Sequence, residues 1–128
     1  MLTSLELSRF RNFQHAELEL SRGCNLLVGR NGQGKTSILE AVFFLSLLRS
    51  FRTTNLRHLC QQQAETFQVA GNLLHQNWRR RIEVRYGRER KFLLEDQPVR
   101  TAGEFIGQFQ VVVFSPDDLQ LIQGPATL

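Results

Sequence analysis

Hydrophobic and polar residues alternate over residues 2–10, with Leu5 and Leu7 on one side of an expected half-buried strand. Phe10-Arg11-Asn12-Phe13 breaks that rhythm, and Ala16, Leu18 and Leu20 restart it as a second strand. Ser21-Arg22-Gly23 then turns the chain into Cys24-Asn25-Leu26-Leu27-Val28, a short apolar run that predicts a buried strand. Residues 36–45 read as a helix, 49–54 as polar and irregular, and 55–60 as a short helical turn. Period-two alternation returns at Phe67, Val69, Gly71 and Leu73. It continues around Ile82 and Val84, and again over 91–95 after a turn containing Gly87, which predicts antiparallel hairpins. Thr101-x-x-Glu104 has the form of a capping box before a short helix. Residues 109–114 form an apolar run suited to a buried strand. Ser115-Pro116-Asp117-Asp118 follows, with a cap, a first-position proline and acids for a helix's first turn.

Composition narrows the class. A chain of 128 residues that is 41% apolar can form a core, and no repeat or linker divides it. The most apolar stretch, 38–48, is interrupted by Glu40 and is too short to cross a bilayer. Nothing near Met1 has the form of a signal peptide, so a soluble, cytoplasmic protein without a membrane partner is expected. Cys24 and Cys60 have no metal-ligand spacing with His15, His58 or His75 and are read as reduced thiols. The net charge is +4, and lysine occurs only at positions 35 and 91. Arginine pairs bidentately with phosphate and stacks on bases. The bias therefore suits a nucleic-acid partner, with a merely solvated basic surface as the alternative.

The chemistry concentrates in Gly29-Arg30-Asn31-Gly32-Gln33-Gly34-Lys35-Thr36, which fits G-x-x-x-x-G-K-[ST]. In such a loop glycines turn backbone N–H groups toward phosphate oxygens, lysine adds a point charge, and the hydroxyl can ligate Mg²⁺. The expected strand before it and helix after it supply the usual context, with the helix N-terminus facing the anion. An ordinary glycine-rich turn is the competing explanation. A hydrolytic enzyme of this kind also needs an acid at the end of a second buried strand. Asp117 is the one candidate, and Ser115 and Pro116 separate it from that strand, so it is rejected. The chain is therefore expected to be the N-terminal portion of a larger ATPase, carrying the triphosphate cradle without the hydrolytic machinery.

With Asn31 and Gly32 at its centre and Phe10-Arg11-Asn12 upstream, the loop resembles those of SMC-like ATP-binding cassette heads. Arg49-Ser50-Phe51-Arg52 and Ser115-Pro116-Asp117-Asp118-Leu119-x-Leu121-Ile122-x-Gly124-Pro125 sharpen this into a resemblance to the RecF family over residues 1–128. Two features depart from the family pattern. Gly124 meets Pro125 without an intervening small residue, and no paired arginines follow; signature helix, Walker B strand and D-loop are not among these residues.

The resemblance implies an α/β fold: the N-terminal lobe of an ABC-type P-loop ATPase head, a single partial domain over 1–128. A mixed sheet would surround the P-loop helix, with an antiparallel β segment added. It also implies an ATP- and DNA-binding recombination mediator in DNA repair, replication and SOS induction, preferring single-stranded or gapped DNA. The implied partners are other mediator proteins and a second copy, in an ATP-dependent homodimer. By the same resemblance Gly29, Arg30, Asn31, Gly32, Gln33, Gly34, Lys35, Thr36 and Ser37 bind the phosphates, with Thr36 on Mg²⁺. Arg11 and Asn12 lie near the nucleotide, and Gln110 or a neighbour holds the place of the metal-sensing glutamine. For Arg11 a surface position at a strand end is the alternative. The full-length family is a weak DNA-dependent ATPase, and no turnover is expected of this chain.

Arg79-Arg80-Arg81, Arg85, Arg88, Arg90 and Lys91 form the densest basic segment. On alternating strands Arg79, Arg81 and Arg85 share a face opposite Ile82 and Val84. That face is expected to track a phosphate backbone, or else to protect a hairpin edge by charge. A small P-loop phosphotransferase and a transporter ATPase fragment are the competing functions; two strands before the loop and arginines on strands count against both.

Overall fold

The computed structural model describes residues 1–25 and 34–112. Strands β1 (Leu2–Phe10), β2 (Phe13–Glu19), β3 (Phe67–His75), β4 (Trp78–Tyr86), β5 (Lys91–Leu94) and β6 (Gln97–Val99) make one sheet in the order β2-β1-β3-β4-β5-β6. Every pairing among them is antiparallel. Helix α1 (Lys35–Leu47), a 3₁₀ turn (Leu56–Leu59) and helix α2 (Ala102–Phe105) complete the described elements. Among the described residues no helix is long and apolar enough to cross a membrane.

Registers explain which side of the sheet is covered. Leu7, Val69, Val84 and Phe92 form one row across β1, β3, β4 and β5, and Leu5, Gly71, Ile82 and Leu94 form the next. Ala41, Phe44 and Leu45 of α1 are buried in the same core as these rows. The helix packs against the sheet at Gly71, where a Cβ would stand 3.0 Å from the Leu45 side chain and 2.8 Å from the Ser4 carbonyl oxygen. Phe67 anchors one end of the core, edge-on to Phe10 and Phe44 and stacked on Tyr86.

Several local expectations hold for physical reasons now visible. The Thr101 side chain accepts from the Glu104 N–H at the start of α2, and Asn55 accepts from Arg57 at the 3₁₀ turn. Two expectations need correction. Cys24 and Asn25 are not strand residues. The Asn25 side chain instead accepts from the Ser21 N–H at 2.9 Å and donates to the Ser21 carbonyl at 3.0 Å, closing a turn. Residues 109–112 do not begin a strand either; none of them has a ladder partner among the described residues, and Val112 is 78% exposed. Among the described residues the antiparallel sheet is the one that packs on α1. Residues 26–28 and 113–114, expected to bring further strands, lie outside the described residues.

Candidate functional site

The β1–β2 turn, the start of α1 and the chain from Arg52 to Gln62 surround a cavity of about 890 Å³. Arg11 and Asn12 enter it from the turn, and Gly34, Lys35, Thr36 and Ser37 from the helix start. Arg52, His58, Cys60, Gln61 and Gln62 complete the lining. Thus Arg11, Asn12 and Gly34–Ser37, singled out by motif and resemblance, converge on one space. Gly29, Arg30, Asn31, Gly32 and Gln33 lie outside the described residues, as do Asp117 and the motif ending at Pro125. Gln110 lines a different cavity, beside Met1, Val42 and Trp78.

Local backbone geometry explains how Arg11 gets there. Phe10 pairs with Phe13 across a two-residue turn, and Arg11 occupies it with φ of 53°. A left-handed arginine costs roughly 1 kcal/mol or more and persists where its surroundings over-determine it. Here its N–H donates to the Leu59 carbonyl at 2.8 Å, and Gln61 donates to the Arg9 carbonyl at 2.8 Å. The turn is thereby sewn to the 3₁₀ segment. Gly34 fixes the opposite wall: its φ is 94°, and a Cβ there would come within 2.6 Å of the Phe13 ring.

Glu40 joins these walls. Its side chain is fully buried one turn into α1, where an unpaired carboxylate is not tolerated. Arg11 donates Nε to Oε1 at 2.8 Å and Nη2 to Oε2 at 2.9 Å. Arg52 donates Nη2 to Oε1 at 2.5 Å and Ser50 donates its hydroxyl to Oε2 at 2.5 Å. The same Arg52 nitrogen reaches the Ser37 hydroxyl at 3.1 Å. Burial pushes the Glu40 carboxyl upward, but the bonds from Arg11, Arg52 and Ser50 outweigh it and hold the group below the usual carboxylate range. Arg11 is raised in turn, chiefly by its hydrogen bonds to Glu40. Cys60 is pushed up by burial, which favours its neutral thiol.

Two guanidiniums against one carboxylate leave net positive charge on the cavity wall. Each guanidinium has five N–H donors, so both retain donors beyond those used on Glu40, Ser50's partner. The 13-residue helix α1 begins at this cavity, with no acid in its first turn to oppose an anion. The Thr36 and Ser37 hydroxyls are oxygen donors of the kind Mg²⁺ takes when it is shared with phosphates and water. The arrangement suits a polyanion, held by hydrogen bonds and charge. Arg52 and Glu40 were not among the residues singled out for this site. The available signal was a single acid inside an otherwise apolar helix, which requires a cationic partner.

The proposed nucleic-acid face is organised differently. Arg79, Arg81 and Arg85 do share the face of β4 opposite Ile82 and Val84, and Lys91 lies beside Arg85 in register. Glu83 is on that face too, nearly buried, and accepts from Arg81 at 3.1 Å and Arg85 at 2.5 Å. Arg81 also bonds Glu6 at 3.2 Å. Burial would lower the Arg81 pKa, yet its bonds to Glu6 and Glu83 raise it. Arg88 is exposed in the β4–β5 turn, away from this row. Two of the five expected phosphate-contacting residues, Arg81 and Arg85, are thus held in an ion-pair lattice.

Comparison with known proteins agrees with the geometry. Residues 1–102 match the family described as RecF/RecN/SMC N terminal domain. The chain is 40% identical over 125 residues to the DNA replication and repair protein RecF of Acidothermus cellulolyticus, covering 96% of the chain and 34% of that protein. It is 38% identical over 126 residues to that of Clostridioides difficile, covering 97% and 34%. The chain spans about a third of the length of these relatives. A solved structure of the recombination mediator protein RecF-ATP in the RecFOR pathway superposes with a TM-score of 0.85 at 33% identity, covering 95% of the chain and 34% of that one. The SMC head domain from Thermotoga maritima shares the fold, with a TM-score of 0.62 at 23% identity over 77% of the chain and 38% of the other. The head-lobe architecture expected from sequence is therefore the fold observed.

Proposed function

Because the chain belongs to the RecF/RecN/SMC N-terminal domain family, we propose that it forms the phosphate-holding part of an ATP-binding recombination mediator of the RecF type. The observation that carries this reading is the cavity at the N-terminus of α1, walled by Arg11 and Arg52 on a shared buried Glu40. Residues 29–37 wrap the triphosphate, with Lys35 adding positive charge and Thr36 offering its hydroxyl to Mg²⁺. Mg²⁺, when bound, neutralises phosphate charge. Arg11 and Asn12 contact the nucleotide from the β1–β2 turn, and Arg52 adds a cation from the far wall. A solved relative described as RecF-ATP supports ATP as the ligand.

The output of this site is association. ATP would join two copies, and the joined heads would hold single-stranded or gapped DNA, with mediator proteins as further partners, in cytoplasmic repair, replication and SOS induction. Of the arginines and lysine expected to meet DNA, Arg79, Arg88 and Lys91 would supply the phosphate contacts, each sensitive to salt, while Arg81 and Arg85 are engaged by Glu83. Calorimetric titration with ATP, ADP and AMP tests the site directly. Affinity is expected to fall as phosphates are removed; AMP binding as tightly as ATP contradicts the reading.

A further inference from the structure

The chain from Arg49 to Arg57 has two sides. Arg52 points into the cavity described above, whereas Arg49, Phe51 and Arg57 line a second cavity of about 750 Å³. Its apolar surface comes from Phe43, Leu48, Phe51, Leu56 and Tyr86. Phe43 and Phe51 meet edge to face with centroids 5.4 Å apart, which makes a rigid wall.

Three guanidiniums stand around that wall, and among the described residues no carboxylate lines it. Arg49 lies 5.9 Å from the Phe43 ring centre, and Arg90 lies 5.4 Å from that of Tyr86. Arg57 enters from the 3₁₀ turn. Elsewhere on the described surface Arg11, Arg52, Arg81 and Arg85 each hold a carboxylate within 3.2 Å. Arg49, Arg57 and Arg90 hold none among the described residues.

We infer that this second cavity docks an acidic segment of a protein partner, with a bulky apolar side chain seated on Phe43 and Phe51 and its carboxylates paired to Arg49, Arg57 and Arg90. Charge complementarity selects the occupant. Arginines that hold no carboxylate among the described residues favour an anion, and a concave apolar floor between them rewards one large side chain rather than a flat row of bases. The two cavities share no lining residue. Ser50 gives it a physical link to the first cavity, since it lines the second while its hydroxyl holds Glu40.

The test uses the protein and three fluorescent probes: an aspartate-rich peptide with one central tryptophan, the same peptide with alanine for tryptophan, and an oligothymidylate. Anisotropy is expected to show the tryptophan peptide binding at least about tenfold tighter than the alanine peptide. Arg57→Gln and Arg90→Gln are each expected to weaken it roughly tenfold, the scale of one lost charge-assisted bond. Neither variant should lower the thermal midpoint by more than a few degrees, because neither arginine holds a carboxylate among the described residues and Arg90 gives up only its contact with the Tyr86 ring. Equal binding of both peptides, or no peptide binding, overturns the inference. So does oligothymidylate binding that both variants weaken equally, which would make the cavity a nucleic-acid site.

Discussion

Arg11 and Glu40, 29 residues apart in sequence, meet edge to edge, with Nε on Oε1 at 2.8 Å and Nη2 on Oε2 at 2.9 Å. That fork ties the β1–β2 turn to the helix whose N-terminus opens on the cavity. Replacing Glu40 by Gln leaves an amide nitrogen facing guanidinium donors and two cations without their shared anion. Breaking a wholly buried pair this way costs about 3–5 kcal/mol. Here Arg11 and Arg52 are 25% and 33% exposed, so water screens part of the loss. A loss of roughly 2–3 kcal/mol is expected by urea unfolding. A change below about 0.5 kcal/mol would mean that the network contributes little.

The same carboxyl predicts a pH dependence. Its native pKa lies below the unfolded one, so its stabilisation is complete above about 4.3, the ordinary glutamate value. It is lost as pH falls from there through the native pKa, where the folded protein takes up the proton. The stability difference between the native protein and Glu40→Gln should therefore narrow in acid. A gap that stays constant from neutral pH into that range would contradict the assignment.

Gly34 carries two constraints at once, a left-handed backbone and the Phe13 ring. Gly34→Ala should cost about 1–3 kcal/mol from the backbone conformation alone, plus displacement of the ring. Adding Phe13→Leu should relieve the steric part and leave the backbone part. Thermal unfolding of the two variants separates them. If the double variant recovers fully, the conformational argument is wrong.

How much of this was legible in the chain differs by element. The hairpins and α1 follow from periodicity, and Thr101 caps Glu104 as its spacing predicts. Strand β6 escaped because its turn, Glu95-Asp96, takes φ of 53° and 64° without a glycine to signal it. The run at 109–112 misled because apolar residues make a strand only where a neighbour supplies a ladder. At the site, Lys35 and Arg11 could be placed by motif and resemblance. Arg52 could not, because its role depends on meeting Glu40 and Ser37 in space, which no local pattern encodes.

DNA affinity should fall steeply with salt, and individual arginines should contribute unequally. Arg79 and Lys91 have no ion-pair partner among the described residues, whereas Arg81 and Arg85 are held by Glu83. Arg79→Gln or Lys91→Gln should each reduce the log–log salt slope by about 0.7–0.9. Arg81→Gln should instead lower stability, because it removes one of the two cations on the nearly buried Glu83. Unchanged slopes for Arg79→Gln and Lys91→Gln would leave this face as solvated surface.

The central claim is that the cavity at the start of α1 binds a nucleoside triphosphate, and Lys35→Ala tests it most directly. Titration calorimetry with ATP should show most of the affinity lost, with the unfolding midpoint of the ligand-free protein close to that of the unaltered chain. Undiminished ATP affinity in a folded Lys35→Ala protein would contradict the account.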